Sequence, residues 1–192
     1  SELGNFAMGS GFMAIRRNFF HPLNPHEGED FVLPIRTAMS GYRVVYEPES
    51  VSETLLHQNN ARNMLISKVR VISKDLRGLF NYRSILNPLR FPLYSWGLIS
   101  HKLLRWLVPY FLVLLLITNQ FLVHIHFYQV IFILQIIFYL SAIIGYLWQR
   151  NGKPLLVFGI PFSFCLVNLA ALVGVARFLL GRKTGQWEPV RE

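Results

Sequence analysis

Glu29 and Asp30, adjacent carboxylates directly after Gly28, are the residues of this chain best suited to do chemistry. A carboxylate within hydrogen-bond reach of a hydroxyl can take its proton while that oxygen attacks an electrophile. The same two acids also suit a structural role, because a helix N-terminus favours negative charge. Position separates the two readings. From Trp106 to Gln149, 44 residues contain no Asp, Glu, Lys or Arg. A bilayer core needs about 20 apolar residues per helix, so this stretch fits two spans and a tight turn. Asp30 precedes it by fewer than 80 residues. A polar, carboxylate-bearing region therefore stands against a membrane, which suits chemistry on something delivered to, or leaving through, the lipid.

Other reactive side chains carry weaker signals. His124 and His126 supply two imidazoles in a membrane turn without a carboxylate, a poor ligand set for a metal. Cys165 is the single cysteine and lies in an apolar segment. No disulfide framework or zinc-type spacing is possible, and a buried structural thiol is expected. Net charge is +9, and between Arg62 and Arg105 nine basic residues face one acid, Asp75. That basic segment runs straight into the first span, so it matches an anionic cytoplasmic membrane face better than nucleic acid. A hydrophobic content of 53% excludes a plain basic nucleic-acid binder.

The elements that must position these residues read as mixed α/β, then helical. Phe12 to Ile15 is a short apolar run after small residues and predicts a buried strand. A loop holding Pro22, Asn24, Pro25 and Gly28 follows. Residues 29–40 predict a helix with acids at its start and Gly41 as its stop; Pro34 limits early hydrogen bonding. Tyr42 to Tyr46 alternates and predicts a second strand. Residues 60–80 predict an amphipathic helix along the membrane surface, with Met64, Leu65, Val69, Ile72, Leu76 and Leu79 apolar among Lys68, Arg70, Lys74 and Arg77. Residues 84–105 mix prolines, Tyr94, Trp96 and cations, with Trp106 next, as expected at a lipid–water boundary; His101 and Lys102 are read as anchors there. Spans are expected at 105–123, 127–148 and 155–178, the last made less regular by Pro161 and Asn168. Basic residues place the pre-membrane part and the 149–154 loop on the cytoplasmic side. The chain opens at Ser1 inside what reads as a folded region, with no signal-like segment. It is expected to be the C-terminal part of a longer polypeptide.

Several motifs occur in order: GSGFMAIRR at 9–17, GEDFVLPIRTAMSGYRVVYEPES at 28–50, a basic helix, and SHKLLRWLVP at 100–109. Asn168-Leu-Ala-Ala and Trp187-Glu-Pro close the set. This series resembles membrane-embedded family 2 glycosyltransferases, the cellulose, chitin and hyaluronan synthase superfamily. The resemblance implies an α/β fragment over residues 1–58, the C-terminal part of a GT-A-like catalytic domain. Amphipathic interface helices would follow over 59–104, and a transmembrane region of about three spans with a polar tail over 105–192.

The resemblance also implies roles. Asp30 would be the catalytic base, with Glu29 beside it. A Gln-x-x-Arg-Trp motif that contacts the nucleotide diphosphate would correspond to Ser67-Lys68-Val69-Arg70-Val71. Arg70 keeps the arginine, which suits bidentate phosphate contact, and Lys68 adds charge. Ser67 and Val71 depart from the motif and remove an aromatic platform for the acceptor sugar. Arg16 and Arg17 follow the first strand as in the family, facing phosphate or solvent. The family's Asp-x-Asp metal motif is not in this sequence. A divalent cation, Mg or Mn, is expected in the full enzyme on ligands upstream, and the fragment by itself is expected to be inactive. The implied partners are a nucleotide-sugar donor, a glycan or lipid-linked acceptor and membrane lipids, with no nucleic acid. The implied location is the cell's inner membrane, catalytic part cytoplasmic. The alternative is a non-enzymatic polytopic membrane protein, a transporter or scaffold subunit, in which Glu29 and Asp30 only cap a helix.

Overall fold

A computed structural model describes residues 13–20, 22–24, 26–45, 47, 49, 60–152 and 156–182. Among these residues the chain is helical and contains no strand. Five helices carry it: α1 (Glu29–Met39), α2 (Ala61–Asn81), α3 (Pro92–Phe121), α4 (His126–Arg150) and α5 (Gly159–Leu179). The expected α/β fragment is thus corrected. Residues 13–16 are irregular and run into a 3-10 turn at Arg17–Phe19, and residues 42–45 are irregular as well. Phe12 and Tyr46, the remaining parts of the two expected strands, lie outside the described residues. The physical reason is that a strand is defined by its ladder. Runs of four or five β-forming residues supply the right side chains, but without a paired neighbour their backbone groups gain nothing from the extended state.

The described residues form two compact units. The first holds those up to residue 49, Arg70–Arg105 and residues 175–182. In it α1 turns its apolar side inward, burying Phe31, Val32, Leu33, Pro34, Ile35 and Ala38. Each fully buried side chain of the Val, Ile or Phe class contributes roughly 1.5–3 kcal/mol. The second half of α2 meets α1 at Gly78, where an added methyl would come 2.5 Å from Val32 Cγ2. Only glycine lets the two helices approach that closely. Helix α1 ends as its sequence indicates: Gly41 has φ +83°, the Tyr42 N–H donates to the Thr37 carbonyl, and the Gly41 N–H donates to the Ala38 carbonyl. This is the Schellman pattern, which favours glycine in the left-handed position. The start of α3 packs in the same unit, burying Tyr94, Ser95 and Leu98. Ser95 Oγ donates to the Ile85 carbonyl at 2.7 Å.

The second unit holds residues 60–69 and Trp106–Gly174. Ala61, Phe162 and Leu166 form its core cluster, with Met64 against them. Aromatic rings join α4 to the chain that follows: Phe138 to Phe164 at 5.5 Å and Trp148 to Phe158 at 5.1 Å. Gly145 lies so close to the Phe158 carbonyl that a methyl there would be 2.7 Å from it. Buried Asn119 donates to Gln135 Oε1 at 3.3 Å, and Gln135 Nε2 donates to the Tyr139 hydroxyl at 3.2 Å.

Helices α3, α4 and α5 are long and apolar enough to cross a membrane. They leave much of their apolar surface uncovered: Phe111, Leu114, Ile133, Leu134 and Ile143 are each at least half exposed. Contiguous apolar surface on that scale calls for lipid rather than water. The expected second and third spans agree closely with α4 and α5. The first helix starts 13 residues earlier than expected, at Pro92 rather than residue 105. Proline suits the first helical position, and the polar anchor segment is helical from there. At 1.5 Å per residue its 30 residues reach about 45 Å, beyond a hydrocarbon core of about 30 Å. Pro161 sits in the first turn of α5, where its missing N–H costs nothing, and Asn168 Nδ2 bonds the Phe164 carbonyl at 2.8 Å, so α5 runs unbroken.

Candidate carboxylate site

The N-terminus of α1 gathers acids within the first unit. Gly28 is its N-cap residue, with no side chain to bond the first N–H groups. Glu29 and Asp30 occupy the first turn and are exposed to solvent. Glu27, one residue before the cap, is 4% exposed. Its Oε1 accepts from Asn24 Nδ2 at 3.2 Å and from Asn81 Nδ2 at 2.6 Å, and its buried Oε2 has no partner among the described residues. Those bonds fix the loop that delivers the chain into α1.

Asp75 reaches the same place from α2. It is 3% exposed. Its Oδ2 accepts from Lys102 Nζ at 3.4 Å, while its buried Oδ1 has no hydrogen-bond partner among the described residues. A methyl added to Gly28 would lie 2.8 Å from Asp75 Oδ1 and 3.3 Å from Asp30 Oδ1. Two carboxylates thus converge on one glycine. Burial pushes the Asp75 carboxyl up from 3.8 to about 7; Lys102 opposes that rise, and the charge of Asp30 adds to it. A carboxyl that titrates near neutrality beside a second carboxylate is a common feature of sites that move protons.

Lys102 comes from a π turn, Ile99–Leu103, inside α3. A π turn inserts one residue into a helix and rotates everything that follows, and such turns often mark functional positions. Here the lysine meets Asp75, and its ammonium also stands 5.2 Å from the centre of the Phe31 ring on α1. One cation therefore touches a residue of α2 and a residue of α1.

The structure places the residues singled out in the sequence as follows. Asp30 and Glu29 lie at the start of α1, with Asp30 beside Asp75. Arg70 is half-buried on α2 in this unit, five residues before Asp75, about 140° around the helix from it. Lys68 is half-buried in the other unit. Asn24 and Asn81 bond Glu27, and Lys102 pairs with Asp75.

Sequence reasoning passed over Glu27, Asp75 and Lys102 as members of a site. Asp75 had a signal, as the one acid in a basic segment. Lys102 had none, because a π turn leaves no periodic trace. Among the described residues no group of three His, Cys, Asp or Glu is placed to hold a metal ion. Asp75 is paired with an ammonium, and Glu27 Oε1 is taken by two amides, so the acids near Gly28 do not make a ligand set. His126 Nδ1 lies 3.4 Å from Gln129 Oε1. No protein-family model, curated protein or solved structure matches the chain.

Proposed function

We propose that this chain belongs to a membrane glycosyltransferase of the inverting kind, in which Asp30 is the general base. The observation that carries the reading is the exposed Asp30 carboxylate at the α1 N-terminus, backed by Asp75 and Lys102, in the unit where α3 begins. That arrangement offers a proton acceptor open to solvent on a helix whose other face is firmly packed. In the reaction, the acceptor hydroxyl oxygen attacks the anomeric carbon of a nucleotide sugar. Its proton passes to Asp30, the new C–O bond forms, and the bond to the nucleoside diphosphate breaks with its electron pair on phosphate. Attack opposite the leaving group inverts the anomeric centre, by the logic of inverting glycoside hydrolysis. Arg70, in the same unit as Asp30, is the cation assigned to the departing diphosphate. A divalent cation expected of the whole enzyme finds no ligand set among the described acids, and no step is routed through it here.

The donor reading supplies a nucleotide sugar from the cytosolic side of the inner membrane, and the acceptor is a glycan or a lipid-linked alcohol. The test is transfer from radiolabelled nucleotide sugars in membranes carrying the complete enzyme. Asp30→Asn is expected to lower transfer by roughly 10²–10⁴-fold, the usual span for a general base, with donor binding retained. Wild-type transfer by that variant would remove Asp30 from the mechanism. One observation favours a non-enzymatic membrane protein instead: both acids sit in the first turn of α1, where the helix dipole alone rewards them. On that reading Asp30→Asn lowers stability slightly and no nucleotide sugar is consumed.

A further inference from the structure

Helix α3 leaves the first unit at Arg105, and the last turn of α5 rejoins that unit at Val175. The chain between them therefore comes back to the side it left. Helices α3 and α4 are joined by the short turn at 122–125, and Asn119 bonds Gln135 across the pair, so they form an antiparallel hairpin that goes out and returns. Helix α5 then starts on the side where α3 began. It runs unbroken from Gly159 to Leu179, and its far end is held in the first unit. There the Arg77 guanidinium donates to the Arg182 carbonyl, and the Phe80 ring meets the Phe178 ring at 6.0 Å. An unbroken helix with both ends on one side of a bilayer does not cross it.

Contacts inside the second unit run the same way. Phe164 meets Phe138, which is three residues past Gln135 and so level with about residue 116 of α3. Eight residues further along α5, the Leu172 carbonyl accepts from the Tyr110 hydroxyl at 3.2 Å. Progress along α5 thus leads back towards the start of α3, away from the 122–125 turn. Helix α2 accompanies it: Ala61 and Met64 pack on Phe162 and Leu166 in the second unit, and Arg77 and Phe80 reach its end in the first. A crossing α5 would draw Arg62, Lys68, Arg70, Lys74 and Arg77 of α2 towards hydrocarbon, which ionised side chains resist.

We propose that α5 lies in the plane of the leaflet next to the first unit, and that α3 and α4 alone cross the membrane. The uncovered apolar side chains of α5, among them Ile160, Phe164, Leu169 and Leu179, take the acyl chains of that leaflet as their partner. Helix α5 is apolar nearly all round, so the polar face that an in-plane helix needs comes from α2. Exposed Arg62 and half-buried Lys68, Arg70 and Lys74 supply cations for headgroup phosphates. Arg150 before α5 and Arg177 and Arg182 at its end then stay on one side of the membrane, as flanking cations do. The inference holds whether or not sugar is transferred.

The experiment is sidedness, in the full chain expressed in cells with Cys165→Ala. Single cysteines come from Arg43→Cys in the first unit, His124→Cys in the α3–α4 turn, Asn151→Cys after α4 and Arg182→Cys after α5, all at exposed positions. A membrane-impermeant maleimide is added to intact and to permeabilised cells, and each variant must elute from detergent columns as wild type does. Arg43→Cys, Asn151→Cys and Arg182→Cys are expected to react from one side, and His124→Cys from the other. Arg182→Cys reacting from the side of His124→Cys would overturn the proposal, as would His124→Cys reacting from the side of Arg43→Cys. Depth gives a second measurement. Nitroxides on Ile160→Cys, Leu169→Cys and Leu179→Cys, in nanodiscs of phosphatidylcholine and phosphatidylglycerol, are read by collision with oxygen and with a soluble nickel chelate. A common depth of about 5–10 Å into the leaflet is expected. A crossing helix would separate the first and last labels by about 28 Å, at 1.5 Å per residue, and that spread would overturn the in-plane placement.

Discussion

Replacing Asp75 with asparagine removes a carboxyl that burial in the first unit penalises strongly. The carboxyl is 3% exposed, and its folded-state titration is raised from 3.8 to about 7. The native state therefore holds this proton more tightly than the unfolded chain does. By linkage, the contribution of Asp75 to stability is fully present below pH 3.8. It is lost as pH rises towards 7, and above that the native state carries a buried carboxylate at full cost. A rise of that size corresponds to on the order of 4 kcal/mol. Asparagine has the same shape and no charge, so it avoids the cost. It leaves Lys102 without its anion, but that lysine is 30% exposed and can hydrate. It also aims an amide at the ammonium, which costs about 1–3 kcal/mol. The variant is therefore expected to be about 1–3 kcal/mol more stable than wild type at pH 8 and no more stable at pH 4. For a chain of this length each kcal/mol moves the thermal midpoint by roughly 2–4 °C. The assay is thermal unfolding of the purified protein in micelles at several pH values, read as the difference between variant and wild type. Taking the difference cancels the other carboxylates. A difference that does not change between pH 4 and pH 8 would refute the reasoning.

Other substitutions probe separate features. Gly28→Ala brings a methyl to 2.8 Å from Asp75 Oδ1; unfolding in denaturant should show a loss of about 1–3 kcal/mol, as for other overpacked sites. Gly145→Val meets the Phe158 carbonyl and the Phe162 side chain, and the thermal midpoint in micelles should drop by several degrees, at about 2–4 °C per kcal/mol. Asn119→Leu removes the donor to Gln135 inside the second unit; a cost near 0.6 kcal/mol is expected by analogy with other intramembrane hydrogen bonds, measured by a double-mutant cycle with Gln135→Leu.

Composition and run length determined the membrane part. Forty-four uncharged residues admit few arrangements, because hydrocarbon forces backbone groups to bond within the segment. Helices α4 and α5 were legible for that reason, as was the end of α1, where Gly41 meets the need for a left-handed residue. Short β-forming runs at 13–15 and 42–45 were misread, since side-chain preference is local and a ladder is not. The early start of α3 was missed because cations and aromatics were taken as a boundary rather than as the polar end of a long helix. Glu29 and Asp30 stood out as adjacent acids, but their neighbour did not. Asp75 is 45 residues further along and Lys102 lies 27 residues beyond that. Only the packing of α1 against α2 at two glycines, and a π turn that swings one lysine round, bring those charges together. Sequence carries the charges; burial and distance, which decide how strongly each one feels the next, exist only once the chain has folded.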